Sequence, residues 1–125
     1  MPVYTPKVRE HFAKPQNVGT CDGADGQGKS GGGEHCPDDQ AYIWIRVRNG
    51  RIQEIRHKTL GCPVAIASSS MTTVLAQGKR LEDAETITDQ QVIEALGGVP
   101  EDKRGSVVAP KALRAAIDDY RSRSG

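Results

Sequence analysis

Residues 41–60 carry the pattern of two β-strands joined by a tight turn. In the first half, apolar residues occupy every second position, which is the period of a half-buried strand: Ile43, Ile45 and Val47. Asn49 and Gly50 then form the dipeptide typical of a two-residue hairpin turn. In the second half the alternation slips between Ile52 and Ile55, so we expect a β-bulge there. The sequence therefore predicts an antiparallel hairpin.

The segments outside the hairpin carry helix signals. Thr5 followed by Pro6 is typical of a helix cap and first helical position, and the longest helical repeat runs from Cys62 to about Gly78. Further helical turns are predicted after Leu81, after the capping box of Thr88 and Gln91, and after Pro110, where the buried stripe is Leu113, Ala116, Ile117 and Tyr120. The predicted class is α+β, with a small antiparallel β-sheet packed against several helices.

Length and charge limit the function classes. A chain of 125 residues suits a single domain over residues 1–125. The 17 Lys and Arg residues nearly balance the 16 Asp and Glu residues, so no footprint for nucleic acid or an anionic membrane is visible. No secretory signal and no span of about 20 apolar residues is present, which predicts a cytoplasmic protein. Three cysteines, an odd number, argue against a disulfide framework.

Residues 19–33 are rich in glycine and nearly free of apolar side chains, so we expect a flexible loop there. Residues 23–30 also match the spacing of a phosphate-binding P-loop. That motif needs a buried strand before it and a helix after it. Val18 is the single large apolar residue in the segment just before it, and three glycines follow Ser30. Nucleotide binding is therefore a remote alternative.

Cys62 is the first candidate thiolate ligand. It stands between Gly61 and Pro63, where a strand is predicted to lead into a helix. Its sulfur should then lie beside the unpaired amides of the first helical turn, which favour thiolate over thiol. Gly61 permits a close approach of the backbone to a bound group. The alternative is a structural cysteine packed as a small hydrophobic residue.

Cys36 is the second candidate, in the polar segment of residues 34–39. An exposed cysteine is seldom retained for packing, and the neighbouring His35 and Asp38 are further metal-ligating types. Carboxylates discourage ionisation of a nearby thiol, so a bound cation is the simplest way to make this cluster favourable. The alternative is an incidental surface thiol. Cys21 is the weakest candidate, because little around it indicates a site.

Seven segments carry a resemblance to a known family in order and spacing. They are His11-Phe12, Pro15-Gln16-Asn17-Val18-Gly19, Cys36-Pro37-Asp38, Thr59-Leu60-Gly61-Cys62, Ala65-Ile66-Ala67-Ser68-Ser69-Ser70, Gly78-Lys79-Arg80-Leu81 and Ala115-Ala116-Ile117-Asp118-Asp119-Tyr120. The chain resembles IscU/NifU-type scaffold proteins over nearly its whole length. The segment around Cys62 is the most specific part of this resemblance.

The resemblance implies a role in iron–sulfur cluster assembly. In that family a cysteine desulfurase delivers sulfur, iron is bound, and a two-iron two-sulfur cluster is built transiently before transfer to acceptor proteins. Carried over by residue, it implies that Cys36 and Cys62 are thiolate ligands or sulfur acceptors and that Asp38 is a labile oxygen ligand. An oxygen donor beside soft sulfur ligands weakens the hold on iron, which suits a protein that releases its product.

The chain departs from the family pattern before its last helix. The family's His-Cys pair should fall at Arg104 and Gly105, so the third cysteine and its histidine are absent. Cys21, His35, a partner protein or a second subunit could complete the site. Arg104 could also hold nearby thiolates ionised by its charge. The family's chaperone-recognition stretch should fall at residues 98–102, which keep little of it. The resemblance therefore does not imply a chaperone partner.

The sequence thus predicts a scaffold-type protein without turnover of its own. It should bind iron, zinc or a two-iron cluster through Cys36, Asp38 and Cys62, with Cys21 and His35 as further candidate ligands. The expected partners are a cysteine desulfurase and iron–sulfur acceptor proteins, and the protein should be a monomer or a homodimer. The alternative from another class is an interaction protein that modulates a desulfurase or an acceptor without assembling clusters.

Overall fold

The computed structural model describes residues 4–31 and 38–124, which form three strands and several helices around one core. In chain order the elements are α1 Pro6–Ala13, β1 Gly26–Gly31, β2 Gln40–Arg48, β3 Arg51–Leu60, α2 Pro63–Ala76, α3 Leu81–Ala84, α4 Asp89–Ala95, a 3-10 helix Glu101–Ser106 and α5 Ala109–Ser124. The strands form one antiparallel sheet in the order β1-β2-β3. The predicted α+β class is confirmed.

The predicted hairpin is formed by β2 and β3. Asn49 and Gly50 make the turn with φ values of 55° and 73°, the positive values that a twisted two-residue hairpin turn requires. The pairing register shifts just before the pair of Val47 with Ile52, so Gln53 is the extra residue of a β-bulge. The bulge allows two apolar residues that are an odd number of positions apart to face the core, Ile52 and Ile55, both fully buried.

The expectation of a loop over residues 19–33 is wrong in part, because Gly26–Gly31 forms β1 and pairs with β2. Its glycines allow α5 to pack directly on the strand. A Cβ atom on Gly26 would overlap the carbonyl oxygen of Ala116, and one on Gly28 would overlap that of Ala112. The glycine-rich sequence therefore serves close packing of a helix on a sheet rather than loop flexibility.

The P-loop spacing of residues 23–30 has no matching geometry. Its second half lies in β1, which continues to Gly31 as a strand, whereas phosphate binding requires the amides of a helix N-terminus at that point. The structure therefore lends the nucleotide-binding alternative no support.

The core lies between the inner face of the sheet and α2 and α5. In the first part of β2, every second residue points into the core and is fully buried: Ala41, Ile43 and Ile45. The predicted stripe of α5 meets them, with Leu113, Ala116 and Ile117 fully buried. No helix among the described residues is long and apolar enough to cross a membrane.

Helix α1 begins as predicted, with the Thr5 side chain accepting a hydrogen bond from the Val8 amide at 3.1 Å and Pro6 as the first helical residue. Val8 and His11 are buried, whereas Phe12 is 44% exposed. The capping box of Thr88 and Gln91 at α4 is also confirmed, and the 3-10 helix Glu101–Ser106 is an element that the sequence did not predict.

We predict that Gly28→Ala lowers the free energy of unfolding by about 2 kcal/mol or more, because its Cβ meets backbone atoms of α5 that cannot rotate away. Gly31→Ala in the same strand is the matched control, since its nearest atom would be 3.7 Å away. Its effect should stay within about 0.5 kcal/mol. Urea denaturation of both variants measures the difference, and equal stabilities would contradict the packing role of Gly28.

A second prediction concerns His57, which is 1% exposed. Its Nε2 bonds to the Gln16 carbonyl oxygen at 3.0 Å and its Nδ1 to the Thr59 hydroxyl at 2.9 Å. Burial lowers the pKa of His57, although the bond to Gln16 opposes this. The unfolded chain therefore binds the proton more readily, and stability is lost as pH falls below about 6.5.

The free energy of unfolding should therefore decrease between pH 7 and pH 5, and it should decrease less in His57→Gln. Urea denaturation across that pH range measures both slopes. The same slope in the two proteins would exclude His57 as a source of the pH dependence.

Candidate functional site

Cys62 lies where β3 ends and α2 begins, as the sequence predicts. It is the N-cap residue of α2, with extended backbone angles, and Pro63 is the first helical residue. Its side chain makes no capping hydrogen bond, so the expected contact of the sulfur with the first-turn amides is not formed. The residue is half-buried and its thiol is free. The sulfur is therefore free to engage groups other than its own helix.

Asp39 holds the backbone of Cys62. The Asp39 Oδ1 atom accepts a hydrogen bond from the Cys62 amide at 3.2 Å. Gly61 lies between them with a φ of 146°, and a Cβ atom there would overlap Oδ1. Glycine is thus required at position 61 both for its backbone conformation and for the approach of the carboxylate.

The second carboxylate oxygen of Asp39 is the most unusual polar atom among the described residues. Asp39 is 5% exposed, and its Oδ2 is a buried side-chain oxygen without a hydrogen-bond partner. Leaving such an oxygen unpaired costs free energy, so it has a function or a partner to be explained. A bound cation is a chemically suitable partner for an anionic oxygen beside a thiol.

Ser106 contacts the sulfur itself. It ends the 3-10 helix, is fully buried, and its Oγ lies 3.2 Å from Cys62 Sγ. Arg104, two residues earlier, is exposed and is bonded to Glu101 and Gln90. The sequence expectation that Arg104 holds the thiolates by its charge is therefore not supported by these contacts.

The other predicted ligands are placed differently. Asp38 is exposed in the turn before β2, whereas its neighbour Asp39 reaches Cys62. Cys36 and His35 lie outside the described residues. Within residues 4–31 and 38–124, no three His, Cys, Asp or Glu side chains cluster closely enough to hold a metal ion.

Cys21 lies apart from Cys62 along the sheet, so the structure does not bring this candidate ligand to the Cys62 site. It is buried and its sulfur contacts the carbonyl oxygen of Trp44 at 3.7 Å. Trp44 pairs with Arg56 of β3. Arg56 lies four residues before Leu60 at the end of β3, which is about 13 Å along the strand, and Cys62 lies beyond that end. Burial raises the pKa of the Cys21 thiol, and the charge of Glu54 adds to this.

The remaining histidines are structural. His11 Nδ1 bonds to Ser70 Oγ at 2.7 Å, which fastens α1 to α2, and burial lowers the pKa of His11. His57 is buried beneath the segment around Gln16. Asp39 and Ser106, by contrast, were not predicted as site residues. Each could have been suggested only by its neighbour in the sequence. Asp39 follows the candidate ligand Asp38, and Ser106 follows the position of the absent cysteine.

A half-buried cysteine whose backbone is held by a buried carboxylate at a strand-to-helix junction is a candidate metal-binding site on a small α+β domain. The family model described as NifU-like N terminal domain matches residues 3–125. The chain therefore belongs to the IscU/NifU-type scaffold family, and the resemblance inferred from the sequence is confirmed.

The curated relatives agree over almost the whole chain. The chain is 46% identical to iron-sulfur cluster assembly scaffold protein IscU 1 of Archaeoglobus fulgidus, over 98% of this chain and 80% of that protein. It is 39% identical to the IscU scaffold protein of Escherichia coli, over 96% of this chain and 95% of that protein.

Solved structures support the fold. A NifU-like N-terminal protein from Brucella abortus matches with a TM-score of 0.72 at 15% identity, covering 94% of each chain. A putative scaffold protein for the SUF system from Fervidobacterium islandicum also matches with a TM-score of 0.72, at 12% identity over 91% of this chain and 96% of that one. At these identities the likeness concerns the fold alone.

We predict that Cys21 reacts much more slowly than Cys62 with iodoacetamide in the folded protein near pH 8. Cys21 is buried with a raised pKa, whereas Cys62 is half-buried at the end of a strand. Mass spectrometry of peptides after timed alkylation measures the two rates, and the same experiment in urea is the control in which they should converge. Faster labelling of Cys21 in the folded state would contradict its placement.

Proposed function

We propose that this protein is an iron–sulfur cluster assembly scaffold that accepts sulfur and binds iron or zinc at a site built around Cys62. The observation that carries the proposal is the unit formed by Asp39, Gly61 and Cys62, in which a buried carboxylate fixes the backbone of a half-buried thiol. Relatives that bear the name of cluster assembly scaffold proteins match nearly the whole chain, which supports the same function.

The proposed ligands come from two segments of the chain, the start of α2 and the residues before β2. Cys62 supplies one thiolate at the start of α2, and the segment before β2 supplies Cys36 together with Asp38 or Asp39. His35 is a further candidate from that segment. Two thiolates and one carboxylate leave a tetrahedral site incomplete, so a partner protein, a solvent molecule or another residue must complete it.

The mixed donor set suits a scaffold. Thiolates are soft ligands that hold iron and zinc well, whereas a carboxylate is a harder ligand that exchanges more readily. A transient two-iron two-sulfur cluster or a single iron or zinc ion would therefore be held firmly enough to form and loosely enough to be transferred. The protein would act as a carrier of its metal and sulfur rather than as an enzyme with turnover.

The proposed partners follow from the chemistry of the cargo. A persulfide carries sulfur that is more oxidised than sulfide, so this sulfur must come from a donor protein. Cysteine desulfurases are the class of enzyme that supplies it. The product must pass to iron–sulfur acceptor proteins. We place this exchange in the cytoplasm, where reducing conditions keep cysteines available as thiols.

Anaerobic reconstitution tests the proposed function. The purified chain is incubated with ferrous iron, a cysteine desulfurase, cysteine and a reductant, and cluster formation is followed by visible absorption and by analysis of iron and acid-labile sulfide. We expect iron and sulfide in comparable amounts on the protein, and loss of both in Cys62→Ser. A folded protein that retains no iron, zinc or sulfide would instead favour an interaction protein that does not assemble clusters.

The adjacent carboxylates offer a matched pair of variants for the ligand assignment. We predict that Asp39→Asn weakens Zn²⁺ binding about tenfold or more, while Asp38→Asn has the smaller effect, because Asp39 is buried beside Cys62 and Asp38 is exposed. Asparagine keeps an oxygen that can accept the Cys62 amide, so the variant removes mainly the charge. Competition with a chromophoric zinc chelator measures both affinities.

A larger loss in Asp38→Asn would assign the oxygen ligand to Asp38, as the family pattern implies. Circular dichroism and thermal unfolding of the metal-free variants show whether either change acts through the fold. Equal, unchanged affinities would exclude both carboxylates from the site.

A further inference from the structure

In the family pattern, positions 104 and 105 hold a His-Cys pair. In this chain neither residue supplies a metal ligand to the site. Arg104 is exposed and bonded to Glu101 and Gln90, and Gly105 has no side chain. The next residue, Ser106, is fully buried with its hydroxyl oxygen 3.2 Å from Cys62 Sγ. Of these three residues, Ser106 is the one whose side chain reaches the sulfur.

We propose that Ser106 is a further protein donor of this site, so that its hydroxyl and the Cys62 thiolate bind the same Zn²⁺ or Fe²⁺ ion. The inference rests on the proposed function, because it assigns a ligand to the metal that the scaffold carries. It explains how a chain that lacks the third cysteine keeps a protein donor at this point.

The spacing of the two atoms fits shared ligation. Zinc lies about 2.3 Å from a thiolate sulfur and about 2.0–2.2 Å from an oxygen ligand. With a tetrahedral angle between them, the sulfur and the oxygen are about 3.5 Å apart. The observed separation of 3.2 Å therefore needs only a small increase to admit the ion. The same atoms form a hydrogen bond when no metal is bound.

The position of Ser106 is fixed by the core. The residues after it are buried as they lead into α5: Val107, Val108 and Ala109. Cys62 is fixed from the other side, through the bond between its amide and Asp39. Two anchored backbones therefore hold the hydroxyl and the sulfur together, which is the preorganisation that a metal site requires.

Asp39, which bonds to the backbone of Cys62 through Oδ1, carries a second buried oxygen for which a cation would be a suitable partner. Asp39 Oδ2 is unpartnered on a residue that is 5% exposed and that already bonds to the Cys62 amide. If Asp39 turns Oδ2 to the same ion, Ser106 and Asp39 add two oxygen donors to the thiolates of the proposed site. A set with more oxygen than a three-cysteine site favours a single divalent ion that exchanges readily over a tightly held cluster.

Substitution of Co²⁺ for the native metal tests whether the side chain at position 106 reaches the bound ion. Each thiolate bound to Co²⁺ adds charge-transfer absorption in the near ultraviolet, so Ser106→Cys should increase that absorption by the contribution of one thiolate. Gly105→Cys is the matched control at the position that the family pattern indicates, and it should add none. Ser106→Ala should weaken Zn²⁺ binding about tenfold or more.

An unchanged charge-transfer band in Ser106→Cys, with metal still bound, would overturn the inference, and so would a gain in Gly105→Cys without one in Ser106→Cys. Cysteine is nearly isosteric with serine, and thermal unfolding of the metal-free variants verifies the fold. If the unaltered protein binds no Co²⁺ or Zn²⁺, the proposed function fails together with this inference. Cluster assembly by the unaltered protein leaves the proposed function intact even when the Ser106 variants show no effect.

Discussion

The hydrogen bond from the Cys62 amide to the Asp39 carboxylate joins the two ends of the hairpin at the site. Asp39 precedes β2 and Cys62 follows β3, so this contact connects the open end of the sheet to the start of α2. This contact depends on Gly61, which has a φ of 146°. A side chain at position 61 would fill the space that the carboxylate occupies. The orientation of Cys62 is therefore set by backbone geometry, and its sulfur remains available for chemistry.

The glycine-rich strand β1 influences the same site through α5. Gly26 and Gly28 let α5 lie with its backbone against the strand, which is closer than a strand with side chains on that face would allow. Two residues separate Ser106 from the start of α5, so the depth at which α5 packs influences where that hydroxyl lies. A composition that is typical of a flexible segment thus helps to position a buried side chain just before the start of this helix.

The sequence predicted the features that depend on near neighbours. The turn at Asn49 and Gly50, the bulge near Ile52 and the cap of α4 each arise from residues within a few positions, where φ preferences and side-chain bonds act directly. Strand β1 was missed because its inner face consists mostly of glycine, which gives no apolar alternation. The site contacts were missed because Asp39 and Ser106 lie 23 and 44 residues from Cys62 and no local pattern encodes them.

The two described cysteines show how environment separates the roles of identical side chains. Cys21 is buried beside the middle of β2, where burial raises the pKa of its thiol and where it serves as packing. Cys62 has a fixed backbone, no capping bond from its sulfur, and a hydroxyl as a neighbour. The same thiol group is therefore buried packing material at one position and a partly exposed group on a fixed backbone at the other, a difference set by the surrounding elements.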